Sequence, residues 1–324
     1  MDNLKVEPIK PGDESGWDAL RSVSRNGTIF HARKFFSYHT EKLPFSHLAV
    51  KDKGKLMAVI TGGIINHRYI SPCGASYGGA IHNENSLARV IEIYKAWVNY
   101  CRKEGYLGID LTLAPLVYDR DFSQIDYYAA ESVGFENILS PASSVIKVPR
   151  GREKRNWILS CESSARRAVR KAIKSGVKIK FNSPSQNFYK ILVKNKARNE
   201  SKPVHSESEI RWLCSNFPKE IFFLNAYLNN QEIAGLWLFK CNSQVILTFY
   251  IYNNYDFQEY RATDLLIYKA ALLASEMKIP YLDLGVSEET IGGEQQPSLS
   301  LIRFKMKYAS HLLLRPKLKI NFKK

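Results

Sequence analysis

The chain is poor in the features that mark most specialised protein classes. No apolar run reaches the eighteen or so residues that a membrane span needs. The N-terminus, Met1-Asp2-Asn3-Leu4-Lys5-Val6-Glu7, lacks the apolar core of a signal peptide. A soluble, cytoplasmic protein is expected. Cysteine is sparse: Cys73, Cys101, Cys161, Cys214 and Cys241 are scattered and form no Cys-x-x-Cys pair. That spacing argues against a disulfide framework or a zinc site. The seven histidines do not cluster at ligand spacing either. No Gly-x-x-x-x-Gly-Lys-Ser/Thr loop, Gly-x-Ser-x-Gly elbow or His-Glu-x-x-His helix occurs. Phosphate-loop nucleotide chemistry, a hydrolytic serine elbow and this type of metalloprotease helix are therefore not indicated.

Acidic residues are also in deficit. Among 324 residues there are 47 basic and 31 acidic ones, a net charge of +16. Such a surface attracts polyanions: RNA, a nucleotide phosphate, a phosphorylated sugar or the inner membrane face. A hydrophobic fraction of 45% and this length suffice for two medium domains.

The first half reads as strands around one long helix. Strands over 46–50 and 56–65 flank the turn Lys51-Asp52-Lys53-Gly54. Apolar residues at Leu87, Val90, Ile91, Tyr94, Trp97, Val98 and Cys101 predict a helix over 87–103. A strand over 107–112, a short helix near 127–133 and a strand over 144–148 follow. The second half repeats the grammar. Strands 222–228 and 233–239 flank Asn229-Asn230, which supplies the left-handed backbone a hairpin turn demands. Then come a strand over 245–252, a helix over 265–277 that is apolar almost all round, and a strand over 281–284. A helix over 157–174, further helices over 182–198 and 207–214, and a final strand in the basic tail 315–324 complete the reading. Both halves contain a hairpin, a long helix and a strand carrying an aspartate, Asp110 and Asp283, 173 residues apart. We expect a duplication, with domains over 1–150 and 151–324 joined at the basic segment 149–156.

The segment Tyr281-Leu282-Asp283-Leu284-Gly285, followed by Leu301-Ile302-Arg303-Phe304-Lys305, carries the most chemistry. It brings a carboxylate, a flexible glycine and a cation toward one strand end, where open α/β sheets hold ligands. Other pieces stand in a telling order: Phe30-His31-Ala32-Arg33-Lys34-Phe35-Phe36, Tyr77-Gly78-Gly79, and the basic helix Arg166 to Gly176. Taken together over nearly the whole chain, they resemble the FemAB-like peptidyltransferases and related acyltransferases with tandem GNAT (N-acetyltransferase-like) domains. The resemblance implies an α/β fold of mixed sheets with two tandem GNAT-like domains. It also implies acyl transfer to an amine and a link to the bacterial cell envelope and peptidoglycan.

What the resemblance implies residue by residue is as follows. Lys305 would meet donor phosphate or the developing oxyanion. Asp283 would anchor a loop or act as a base, the anchor being favoured, and Asp110 would face the acceptor. The donor would lie against Arg261, Ala262, Thr263, Tyr252 and Phe304, near a helix N-terminus. GNAT enzymes usually have glycines in the segment that corresponds to Gln258–Asp264. This chain has none there, which departs from the family's pattern for binding acetyl-CoA pyrophosphate; the alternative reading is that Thr263 or Asp264 simply caps the helix. Lys34, Tyr77, Gly79, Lys196 and Arg198 are the acceptor-binding candidates. No permanently bound cofactor or metal is expected. The co-substrate is acyl-CoA or aminoacyl-tRNA. The tRNA-using relatives often carry a long helical arm in the second domain, for which this chain has no room, and that favours acyl-CoA. The acceptor would be a small molecule or nucleotide-linked envelope precursor. Binding of tRNA and peripheral contact with the inner membrane face remain open as partner readings. A non-catalytic RNA-binding or scaffold protein on the same frame is the alternative from another class.

Overall fold

The computed structural model describes residues 4–39, 42–151, 156–182, 184–198, 201–291, 294–308 and 310–323. Residues 152–155 of the basic segment 149–156 lie outside them. The chain divides into two compact units, 1–141 with 314–324, and 142–313.

The first unit opens with strand β1 (Leu4–Pro8) and helix α1 (Glu14–Val23), followed by 3₁₀ turns over Ile29–His31 and Arg33–His39. Strands β2 (Leu48–Asp52) and β3 (Lys55–Thr61) form the expected hairpin, its turn made by Lys53 and Gly54 at positive φ. Then come β4 (Gly63–Ile65), β5 (Arg68–Ser71), β6 (Gly79–His82), helix α2 (Leu87–Lys103) and β7 (Gly108–Thr112). Helix α3 (Ile125–Ser132) and β8 (Glu136–Leu139) follow. Helix α2 has the predicted bounds and buries Val90, Ile93, Tyr94, Trp97, Val98 and Cys101, one stripe of a 3.6-residue period. The strands form two sheets. One has the order β1-β2-β3-β6; in the other β5 pairs in parallel with β7.

The second unit starts with β9 (Ala142–Lys147) and the helices α4 (Trp157–Ser160) and α5 (Ser163–Lys174). The single helix expected over 157–174 is thus broken at Cys161, whose backbone is extended. Strand β10 (Lys178–Asn182), helices α6 (Phe188–Ala197) and α7 (Glu207–Asn216), and strands β11 (Ile221–Leu228) and β12 (Gln231–Lys240) come next. Asn229 and Asn230, at φ 46 and 64, turn the hairpin as their residue type predicts. Strand β13 (Val245–Asn253), helix α8 (Ala262–Glu276), β14 (Tyr281–Val286), the hairpin β15 (Glu288–Ile291) and β16 (Glu294–Pro297), helix α9 (Leu299–Met306) and β17 (Ser310–Leu314) complete the unit. Its sheet has the order β10-β11-β12-β13-β14-β9-β17. Its largest core gathers α5 and α8 over the sheet, with Leu265, Leu266, Ala270 and Ala274 against Leu236, Ile246 and Leu282.

The domain boundary differs from the sequence reading at both ends. Strand β9 belongs to the second unit because it pairs antiparallel with β14. The basic tail is a strand, β18 (Lys317–Asn321), but it belongs to the first unit, pairing antiparallel with β7 on one side and β8 on the other. Its alternation puts Leu318 and Ile320 into the first unit's core, a partnership that local pattern cannot reveal.

Candidate functional site

In the second unit, β13 and β14 are adjacent and parallel, and they pair only at the base of the two strands. Val245, Ile246 and Leu247 meet Tyr281, Leu282 and Asp283; beyond that no ladder register joins the two strands, although β13 continues to Asn253 and β14 to Val286. On its other side β13 carries a bulge, where Leu238 faces Thr248 and Trp237 faces Tyr250, so that Phe249 is the extra residue. Bulges bend a strand away from its neighbour and re-aim its side chains, and they are common beside active sites. The parted strands form a wedge whose floor is Asp283.

Asp283 is 0% exposed. Its Oδ1 accepts from Ser143 Oγ at 2.5 Å and from the Gly285 N–H at 2.7 Å, and its own carbonyl accepts from Thr248 Oγ1 at 3.3 Å. These bonds tie β9, β14 and β13 together at the point where the strands part. Gly285 takes φ +75, a conformation open to glycine without strain, and so folds its N–H back onto the carboxylate. The loop-anchoring role is the one this geometry supports.

Lys305, on α9, is only 3% exposed. Its Nζ donates to the Gly285 and Val286 carbonyls, both at 2.8 Å. Those carbonyls lie on the part of β14 beyond its pairing with β13, where Val286 still pairs with Ser143 of β9. Burial lowers the lysine from its ordinary 10.5 to about 8, opposed by the negative charge of Asp283. Within the unit the partners of this lysine are two backbone dipoles and, at longer range, the buried carboxylate of Asp283.

The donor-binding candidates divide. Arg261 sits at φ 57, ψ 33, in the left-handed region, directly before α8. Glycine usually supplies this conformation, so the missing glycines do not remove the turn; Arg261 adopts it with its side chain exposed. Ala262 is buried and Thr263 half-buried in the first turn. The helix has no side-chain cap, so neither Thr263 nor Asp264 plays the capping role considered from sequence. Asp264 instead accepts from Lys307 Nζ and Tyr308 Oη, both at 2.6 Å, and ties α8 to the end of α9. Phe304 belongs to this corner, with its ring 5.8 Å from that of Tyr308 and Lys307 Nζ 4.3 Å from its centroid. Sequence reasoning did not assign Lys307, Tyr308 or Ser143; the nearby run Phe304-Lys305-Met306-Lys307-Tyr308 was the available signal.

Tyr252 does not join them. It is 1% exposed, and its hydroxyl lies 2.8 Å from Asn225 Oδ1 and 3.0 Å from Glu232 Oε1. Burial raises both the tyrosine and the glutamic acid above their ordinary values. Ser185 also donates to Glu232, so this is a satisfied buried network. It explains Gly235, where a Cβ would come within 2.2 Å of the Tyr252 hydroxyl.

Asp110, about one-third exposed, is already engaged by an arginine. Arg68 holds it in a fork, Nη2 to Oδ1 at 2.8 Å and Nε to Oδ2 at 3.0 Å, and the same guanidinium donates to the Ile320 carbonyl at 3.2 Å. The aspartate therefore clamps β5, β7 and β18 in the first unit. Of the acceptor-binding candidates, Lys34, Tyr77 and Gly79 lie in the first unit and Lys196 and Arg198 in the second. Lys34 is exposed. Tyr77 is buried, its ring edge-on to Phe30 at 5.5 Å and to Tyr118 at 4.9 Å. Gly79, at φ +96, donates its N–H to Ser71 Oγ at 2.8 Å and serves the turn into β6. Lys196 lies 5.5 Å from the Tyr250 ring centroid, and its partial burial lowers its pKa. Arg198 stacks 3.8 Å over Tyr255.

With this geometry in hand, comparison with solved structures is informative. The crystal structure of FemX matches with a TM-score of 0.70 and 11% identity, covering 98% of this chain and 97% of that one. The chain has a tandem GNAT-like fold. L-PGS from Bacillus licheniformis matches with a TM-score of 0.60 at 11% identity, over 96% of this chain and 92% of that one. A tandem GNAT protein from the clavulanic acid biosynthesis pathway, solved without AcCoA, matches with a TM-score of 0.55 at 8% identity, over 98% of each chain. Neither a family model nor a curated relative matches the sequence. Among the described residues no helix is long and apolar enough to cross a membrane.

Proposed function

We propose that the protein transfers an acyl group to an amine, and that the wedge between β13 and β14 holds the donor. The observation that carries this reading is the parted parallel pair itself, bulged at Phe249 and braced by Lys305. The amine nitrogen attacks the acyl carbon, a C–N bond forms, the C–S bond of a thioester (or C–O bond of an ester) breaks, and the amine proton leaves to solvent. The parted strand edges offer fixed peptide dipoles to the carbonyl oxygen as it gains charge. By binding two carbonyls of β14, the Lys305 ammonium offsets their negative ends and lends the wedge a positive field. Lys305 thus acts as a positioning and electrostatic residue, and Asp283 as the anchor under it.

An acyl-CoA donor is the leading reading. Its support is the turn at Arg261, where successive backbone N–H groups and an exposed guanidinium meet the start of a 15-residue helix, a geometry suited to phosphate. The acceptor is an amine on a cell-envelope or nucleotide-sugar precursor, in keeping with the likeness to FemX.

A second reading, an aminoacyl-tRNA donor, draws on a different observation. Residues 163–199 contain eleven lysines and arginines and no acid. On α5, Arg167, Arg170, Lys171 and Lys174 are exposed opposite the buried Ala165, Val169 and Ala172. Such a face suits a phosphate backbone. Calorimetry with acetyl-CoA, and filter binding with charged tRNA at two salt concentrations, separate the readings. Saturable acetyl-CoA binding that Arg261→Glu weakens supports the first. Absence of binding to any CoA ester, with salt-sensitive tRNA binding, rules it out in favour of the second.

A further inference from the structure

The first unit contains a cavity that the chemistry above does not use. It lies past the end of β7, leaves about 60 Å³ for the centres of water-sized molecules, and is lined on one side by Leu113, Leu116, Leu314 and Pro316. Asn26 and Asp126 line it as well.

Asp126, in the first turn of α3, is 8% exposed. Its Oδ1 accepts from His82 Nε2 at 3.0 Å and Tyr94 Oη at 3.1 Å, and its Oδ2 accepts from Asn26 Nδ2 at 3.2 Å. Each donor is neutral. The other ring nitrogen of His82, Nδ1, accepts the Glu84 N–H at 3.1 Å, so the imidazole carries its one hydrogen on Nε2. The nearby guanidinium of Arg25 is committed to Asp119, Nε to Oδ2 at 2.9 Å and Nη2 to Oδ1 at 3.2 Å. His31, also in the wall, is held neutral by burial, its pKa lowered to about 4. Among the described residues Asp126 forms no ion pair with a lysine or arginine, although Arg21 is close enough to act on the neighbouring His31.

Asn26 adds a second demand. Its Nδ2 also donates to the Ala80 carbonyl at 2.8 Å, which fixes the amide orientation, because the flipped amide would face oxygen with oxygen. Its Oδ1 is then a buried acceptor with no donor among the described residues. Buried polar atoms are nearly always paired, and an orphan calls for an explanation. One cavity therefore offers a charged carboxylate held in place by three neutral donors, and apolar walls, with an unfilled carbonyl acceptor sealed behind its surface. The complementary ligand has a positive charge, several N–H donors and an aliphatic body.

We propose that the first unit binds a primary ammonium at the end of an aliphatic chain, with Asp126 as its counter-ion. This site stands apart from acyl transfer in the second unit and does not depend on it.

Saturation-transfer NMR on the full chain tests it, with pentylammonium as the probe and 1-pentanol as a neutral molecule of similar shape. Pentylammonium is expected to bind saturably and at least about tenfold more tightly than pentanol. Asp126→Asn, which keeps the shape of the site, is expected to weaken pentylammonium about thirtyfold or more. Gln124→Trp, an exposed residue of the cavity wall, blocks entry without touching the buried network. It is expected to abolish binding at an unchanged melting temperature, so the proposal stays testable even if Asp126→Asn fails to fold. No binding of pentylammonium, equal binding of pentanol, or a folded Gln124→Trp protein that binds as wild type overturns the proposal.

Discussion

The two units share a plan of hairpin, long helix and parallel-paired strand, yet the aspartate on that strand is used differently in each. In the first unit Asp110 is a 34%-exposed surface clamp, forked by Arg68. In the second, Asp283 is fully buried beneath a wedge, and the nearby cation, Lys305, bonds the backbone rather than the carboxylate. The same residue at matching places thus closes a sheet in one unit and supports an opening in the other. The difference lies in the cation. A guanidinium fork satisfies a carboxylate directly, whereas a compact ammonium can serve two carbonyls of a strand that has parted from one neighbour.

The sharpest way to break this comparison is at Lys305. Lys305→Met removes the donor to two carbonyls, and acyl transfer, measured as kcat/KM, is expected to fall by about a hundredfold or more. Activity unchanged in a folded variant removes the lysine from the mechanism. Next, Asp283→Ala and Asp110→Ala should differ in urea unfolding. Loss of the buried anchor strands a buried ammonium and should cost about 3 kcal/mol. Loss of the half-exposed clamp should cost about 1 kcal/mol. Equal costs contradict the assigned roles.

A third prediction concerns pH. Lys305 has a folded pKa of about 8, below its ordinary 10.5. The unfolded chain therefore holds a proton that the folded chain has lost between these values, and this group's contribution to stability rises across that interval as pH increases. If the charged form sustains catalysis, kcat/KM falls above about pH 8 while stability does not. A rate profile flat to pH 10 separates the ammonium from the chemistry. An effect on stability alone is expected at Gly235→Ala, which forces the Tyr252 network apart. It should cost about 2 kcal/mol of stability and leave the KM of a folded enzyme unchanged. A raised KM would return Tyr252 to the donor site.

Much of this architecture is written locally. The stripe from Val90 to Cys101 gives α2 its bounds, and Asn229-Asn230 gives the β11–β12 turn, because periodicity and left-handed backbone are properties of short segments. Strand β10 is not legible in the same way: Lys178-Ile179-Lys180-Phe181 carries no strand expectation from its sequence, and it becomes a strand by pairing with β11. The tail is legible as a strand but not as an interior strand of the first unit, since its partners β7 and β8 lie about 180 to 210 residues away in sequence. At the site, the order of Asp283, Gly285 and Lys305 pointed to one strand end. That Lys305 is buried, that Tyr252 faces Glu232, and that Arg68 closes on Asp110 are matters of packing, and no single-sequence pattern encodes them.

The central claim is that the wedge of the second unit holds the acyl donor. Hydrogen–deuterium exchange with and without desulfo-CoA, a CoA analogue that cannot carry the acyl group, tests it most directly. The account predicts slowed exchange over 245–253, 258–265 and 281–286, with 108–112 unchanged. Protection confined to 108–112, or none anywhere at saturating analogue, contradicts it.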